Sequence, residues 1–131
     1  MPQGFFDQHG SLQVVQVGAD GAAIGPRAAT QVRYVNATSA GDTTVWTPAT
    51  GKKFGLLRLY VDAGNTANIF FKDGATQFTP QVTHTNGRGQ MMYDFGPTGY
   101  VSAAANNELK INLGVAAASP GMGVLAIGWE E

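Results

Sequence analysis

The sequence predicts a single all-β domain of about seven or eight antiparallel strands, folded as a sandwich or a closed barrel, and three observations carry this. Apolar residues alternate with a period of two, turn residues recur about every eight to twelve positions, and no stretch carries a helical period. A length of 131 residues suits one domain and is too short for a second substantial core. The two architectures share the same alternation, so period alone leaves both open.

The elements follow in chain order. Residues 12–17 read as a strand, Asp20-Gly21 as a tight turn, Gly25-Pro26 as a break, and residues 31–36 as a further strand. Residues 1–36 are therefore expected to form an extended N-terminal arm or hairpin segment, with the sandwich proper over residues 37–131. Strands are expected at residues 43–47 and 54–61, the second a nearly continuous apolar run suited to a central position. Residues 67–72 end at Asp73-Gly74, a dipeptide suited to positive φ, and are expected to pair with the preceding strand across residues 62–65. Residues 77–83 and 90–94 follow, with breaks at Asn86-Gly87 and Gly96-Pro97.

Residues 108–115 give the clearest alternation: Leu109, Ile111, Leu113 and Val115 fall on one face, with Lys110, Asn112 and Gly114 on the other. An Ala/Gly/Ser/Pro tract, residues 116–121, is expected to be a hairpin loop. The last strand, residues 123–129, carries Leu125, Ile127 and Trp129 on one side and Val124, Ala126 and Gly128 on the other, the pattern of a strand covered on both faces.

Composition narrows the function. Net charge is −1 and charged residues make up 13%, about half the usual roughly 25%. A surface so poor in charge is cheap to desolvate and favours assembly with other subunits. The eight basic residues are dispersed, only Lys52 and Lys53 being adjacent, which argues against nucleic-acid binding. With no cysteine, disulfides and thiolate metal sites are excluded. Residues 1–10 lack the charged and apolar regions of a signal peptide, and no apolar run approaches the roughly 20 residues of a membrane span, so synthesis in the cytoplasm and no membrane partner are expected.

No motif recommends catalysis. His9 and His84 lie at no metal-binding spacing and read as surface residues. The carboxylates mostly stand beside Gly, Asn or Thr, where a turn uses them to bond its own backbone. Asp62, Asn65 and Asn68 miss the alternation of a calcium loop, and no phosphate-cradling loop, nucleophile elbow or dinucleotide fingerprint is present. The expectation is a non-enzyme with no cofactor and no metal. Among the aromatics, core or interface packing is the favoured role. The alternative is a sugar-stacking platform formed by Trp46, Phe70, Tyr93, Phe95, Tyr100 and Trp129.

Residues 36–131 also carry a succession of short motifs: Ala37-Thr38-Ser39-Ala40-Gly41-Asp42-Thr43-Thr44, Pro48-Ala49-Thr50-Gly51-Lys52-Lys53-Phe54, Phe71-Lys72-Asp73-Gly74, Phe95-Gly96-Pro97-Thr98-Gly99-Tyr100 and Ala104-Ala105-Asn106-Asn107-Glu108-Leu109-Lys110-Ile111-Asn112-Leu113. A terminal strand ends in Trp129-Glu130-Glu131. In this order they resemble the small capsid decoration proteins of bacteriophages, the cement or head-stabilising proteins. The resemblance implies a jelly-roll-like β-sandwich on the capsid exterior of a virion, a homotrimer at local threefold positions, and the major capsid protein as partner. It implies binding, with no catalysis. Candidate capsid or subunit contacts in the N-terminal segment are Phe5, Phe6, Leu12, Val14, Arg27 and Arg33. The competing expectation is a tail-associated or receptor-binding β-domain that contacts host glycans through Trp46, Tyr93 and Tyr100.

Overall fold

The period-two alternation resolves into two antiparallel sheets packed face to face. The computed structural model describes residues 16–17, 23–24, 26–62, 66–85, 90–118 and 121–131. Gln16–Val17 (β1) and Ala23–Ile24 (β2) form a small antiparallel ladder of their own. The principal strands are Gln31–Ala37 (β3), Gly41–Trp46 (β4), Phe54–Asp62 (β5), Ala67–Asp73 (β6), Leu109–Leu113 (β11) and Met122–Glu130 (β12). Four shorter strands complete the sheets: Thr76–Gln77 (β7), Val82–His84 (β8), Gln90–Asp94 (β9) and Tyr100–Val101 (β10).

Sheet one runs β3-β12-β5, with β9 and β10 sharing the far side of β5; sheet two runs β4-β11-β6, with β7 and β8 sharing the far side of β6. If each shared side counts as one strand position, sheet one holds the first, eighth, third and sixth positions and sheet two the second, seventh, fourth and fifth. That interleaving is the double Greek key of a jelly roll. The expected sandwich of about seven or eight strands is thus present as eight positions, two of them filled by a pair of short strands.

Three local expectations change. Residues 31–36, expected in the N-terminal arm, are an integral strand of sheet one, because β3 pairs with β12 from Gln31↔Gly128 to Ala37↔Met122. The sandwich therefore begins ahead of Gln31. Strand β6 does not pair with β5; it crosses to the other sheet and pairs with β11. Residues 116–121 are likewise a crossover between sheets, because β11 and β12 belong to different ones. Alternation fixes which side chains share a face, but the choice of neighbour comes from how two sheets close over one core.

That core is filled by inward side chains from both sheets, among them Trp46, Phe54, Leu59, Phe71, Ile111 and Val124, all essentially without solvent contact. Each such burial contributes about 1.5–3 kcal/mol. At the edge where the shared positions meet, Phe78 stacks on Tyr100 with ring centroids 4.4 Å apart, and Phe95 packs against both at 6.1 Å. These rings fill the space where β7 gives way to β8 and β9 to β10. On the opposite edge β3 and β4 are continuous and, among the described residues, pair on one side only.

Strand β12 slips register against β5 between Ile127 and Gly128. A Cβ at Gly128 would sit 1.8 Å from the Gly55 carbonyl oxygen, and one at Gly55 would sit 2.2 Å from the Trp129 ring. Glycine at 128 lets the two strands approach at the slip, and glycine at 55 leaves room for the Trp129 indole.

One end of the sandwich is stitched by carboxylates. Asp73, buried at the end of β6, accepts four hydrogen bonds: Tyr100 Oη and Ala103 N on Oδ2, and Ser102 Oγ and Asn107 Nδ2 on Oδ1, at 2.7–2.9 Å. Burial by itself pushes the carboxyl pKa up, but the bonds from Ala103, Tyr100, Ser102 and Asn107 outweigh it and hold Asp73 below the usual carboxylate range. The Tyr100 phenol is pushed up, by burial first and then by this bond and the neighbouring charge. A carboxyl whose folded pKa is depressed contributes stability that is complete above the unfolded value of about 3.9 and lost as pH falls through the folded one. Asp73→Ala is expected to cost at least about 3 kcal/mol near neutral pH, since it strands several buried donors. It should also flatten the loss of stability below about pH 4, as measured by urea unfolding across an acid series.

Candidate functional site

The two outer faces of the sandwich differ in chemistry. Sheet two presents Asp42, Thr44, Lys72, Lys110 and Asn112, with Phe70 as a half-buried aromatic among them. Asp42 accepts from Asn112 Nδ2 at 2.7 Å and Lys72 Nζ at 2.8 Å; the Asn112 bond first, then Lys72, holds its carboxyl below the usual range. This is a mainly polar face, tied together around Asp42.

Sheet one presents a different surface. Register places Tyr34 of β3, Leu125 of β12, Tyr60 of β5 and Met92 of β9 side by side in one row across the sheet. Val32, Ile127, Arg58 and Asp94 form the adjacent row, and Asn36, Gly123, Asp62 and Gln90 the row on the other side. Tyr34 is 64% exposed, Val32 55% and Met92 51%, and they frame the half-buried Leu125, Ile127 and Tyr60. Large apolar side chains thus run across all four strand positions, which is uncommon for a face left in water. Above Gly123 lies a depression of about 130 Å³ walled by Tyr34, Tyr60, Asp62, Gln90 and Leu125. A second groove, about 330 Å³, opens beside Ile127 between Arg27, Leu57, Arg58 and Pro97.

Arg27 and Arg33 are both held within the chain. The Arg27 guanidinium lies 5.4 Å over the Trp129 ring and 3.6 Å from Glu131, while its backbone N–H donates to Pro97 O at 2.8 Å. Trp129 Nε1 in turn donates to Glu131 at 2.9 Å. Arg33 lies 5.1 Å over Trp46 and 3.8 Å from Glu130, and it also donates to the Val32 carbonyl and the Gln31 side chain. Both keep partly exposed side chains at the edge of sheet one. Phe5, Phe6, Leu12 and Val14 lie outside the described residues.

The three aromatics expected to contact glycans are not an exposed platform. Trp46 is 1% exposed in the core, with Nε1 donating to Glu130 at 2.9 Å. Tyr93 points inward from β9, edge-on to Phe71 at 5.3 Å, and burial raises its pKa. Tyr100 stacks on Phe78 and donates to Asp73. Each faces the inside of a strand whose outward neighbours are polar or apolar at random, so type alone did not reveal its side. His84, expected at the surface, is buried opposite Ala67. Asn68, considered as a calcium ligand, accepts from Thr83 Oγ1 at 2.7 Å. Among the described residues there is no group of three or more His, Asp or Glu able to hold a metal ion, and no helix long and apolar enough to cross a membrane.

The residues that the sequence reading missed are those of the apolar row. Their signal was available in the apolar character of both sides of residues 123–129, but their alignment with Tyr34, Tyr60 and Met92 depends on register. No protein-family model matches the chain, and no curated protein matches it. Trp46→Ala is expected to cost about 3–5 kcal/mol by equilibrium denaturation, the cost of emptying a core site, whereas an exposed stacking residue would tolerate the change.

Proposed function

We propose that the chain is a structural protein of a bacteriophage virion, a decoration protein that binds the outer capsid surface and bridges capsomers without catalysing a reaction. The observation that carries this reading is the contrast between the two outer faces: a mainly polar face on sheet two, tied around Asp42, and a row of large apolar side chains on sheet one. A domain whose task is contact gains from such a face and from few charges to desolvate. The jelly-roll sandwich is a fold that viral capsids use, which agrees with the reading without deciding it. The main titratable cluster, around Asp73, supports it too, because both carboxylate oxygens are occupied by donors of the fold itself.

On this reading the edge of β3, which pairs with no other described strand, and the residues ahead of it meet the major capsid protein. Repetition over a closed shell multiplies weak contacts into stable attachment. The glycan-binding alternative loses its support in Trp46, Tyr93 and Tyr100, which are engaged inside the domain.

Gold-labelled antibody against the protein, applied to intact virions and viewed by electron microscopy, is expected to decorate heads; label confined to tail tips would overturn the reading. Deletion of residues 1–10 removes none of the described strands and is expected to reduce head occupancy. Full occupancy would remove that segment from the attachment.

A further inference from the structure

We infer that the outer face of sheet one binds the same face of a second copy of this chain, about a two-fold axis lying along the Tyr34-Leu125-Tyr60-Met92 row. The inference rests on the reading of that face as a contact surface, names its occupant, and puts a two-fold pair in place of the homotrimer that the resemblance implies. A strand apolar on both sides is a strand covered on both sides, and β12 has this pattern while its Leu125 and Ile127 side faces outward.

Charge and shape then select the partner. Rotation about the central row lays β5 antiparallel on β5 of the partner and exchanges the two flanking rows. Arg58 then faces the partner's Asp62, and Asp62 faces the partner's Arg58, so two opposite-charge pairs form at once. Both side chains are exposed, and neither forms an ion pair with another described residue. The same rotation sets Ile127 over the partner's Gly123, where the depression of about 130 Å³ lies. Its volume is close to that of the roughly 150 Å³ cavity that takes up benzene, so it has room for a branched aliphatic side chain. The central row meets its own copy, apolar on apolar. Aligned sheet packing, with strands within about 30° of one another, has this geometry.

Light scattering on the 131-residue chain as it elutes from a sizing column tests it. The wild-type chain is expected to give twice the 13.7 kDa of one copy at high concentration. Arg58→Asp places acidic groups opposite acidic groups, and Asp62→Arg places basic groups opposite basic groups. Each single variant is expected to self-associate at least about tenfold more weakly, because two symmetry-related pairs change sign together. An equimolar mixture of the two variants, and separately the double variant, restores both attractions and is expected to recover the dimer. Recovery by mixing also shows that the single variants are folded. A wild-type monomer or trimer, single variants that dimerise as before, or a mixture that stays monomeric would each overturn the inference. If labelled heads accompany a monomer, the dimer fails and the decoration reading stands; if a dimer accompanies unlabelled heads, the reverse holds.

Discussion

The carboxylate of Asp73 collects four donors from the segment that carries the chain out of sheet one, at β10, and into sheet two, at β11. A buried charge is costly unless hydrogen bonds replace its water, and here the chain supplies them from a single stretch, Tyr100 to Asn107. Those bonds hold Tyr100 where it stacks on Phe78, which closes one edge of the sandwich. At the same end, Glu130 accepts from Trp46 Nε1 and Ala49 N, joining the last strand of sheet one to the second sheet. Asn106 accepts from Gly51 N, and Glu131 and Lys53 exchange backbone bonds. Polar bonds thus fix how the sheets are aligned at this end, while apolar burial keeps them together.

How much of this was legible depends on which physical signal is asked for. Residues 90–94 and 54–61 were readable as strands because alternation and apolar runs are local properties, and the structure gives Gln90–Asp94 and Phe54–Asp62. The neighbour of β6 was not readable, since a turn-like sequence at residues 62–65 is compatible both with a hairpin and with a crossing between sheets. Residues 77–83 carried one strand's pattern but form two short pieces, with Thr79 between them turned inward to accept from Phe71 N. The Trp46 position was ambiguous for another reason: a tryptophan at a strand end suits a surface or a core until its N–H partner, Glu130, is seen eighty-four residues away.

The candidate surface illustrates the same limit. Leu125 and Ile127 stand out in sequence, but on the outward side of their own strands Tyr60 is flanked by Arg58 and Asp62, and Met92 by Gln90 and Asp94. Only the register of four strands gathers them into one row. A contact surface on a sheet is a property of columns, and columns join residues far apart in the chain. Arg58 and Asp62 gain meaning in the same way, as two charges equally displaced from that row on a single strand.

The split strands have a geometric consequence for growth. Where β7 and β8, and likewise β9 and β10, divide one position, the margin of each sheet is too short and interrupted to template an added strand. The opposite margin, β3 and β4, is continuous. Among the described residues the domain is therefore directional: backbone pairing from outside has one receptive side and one blind side. Two copies meeting receptive side to receptive side would end the array, and a head-to-tail ribbon has no second margin on which to continue.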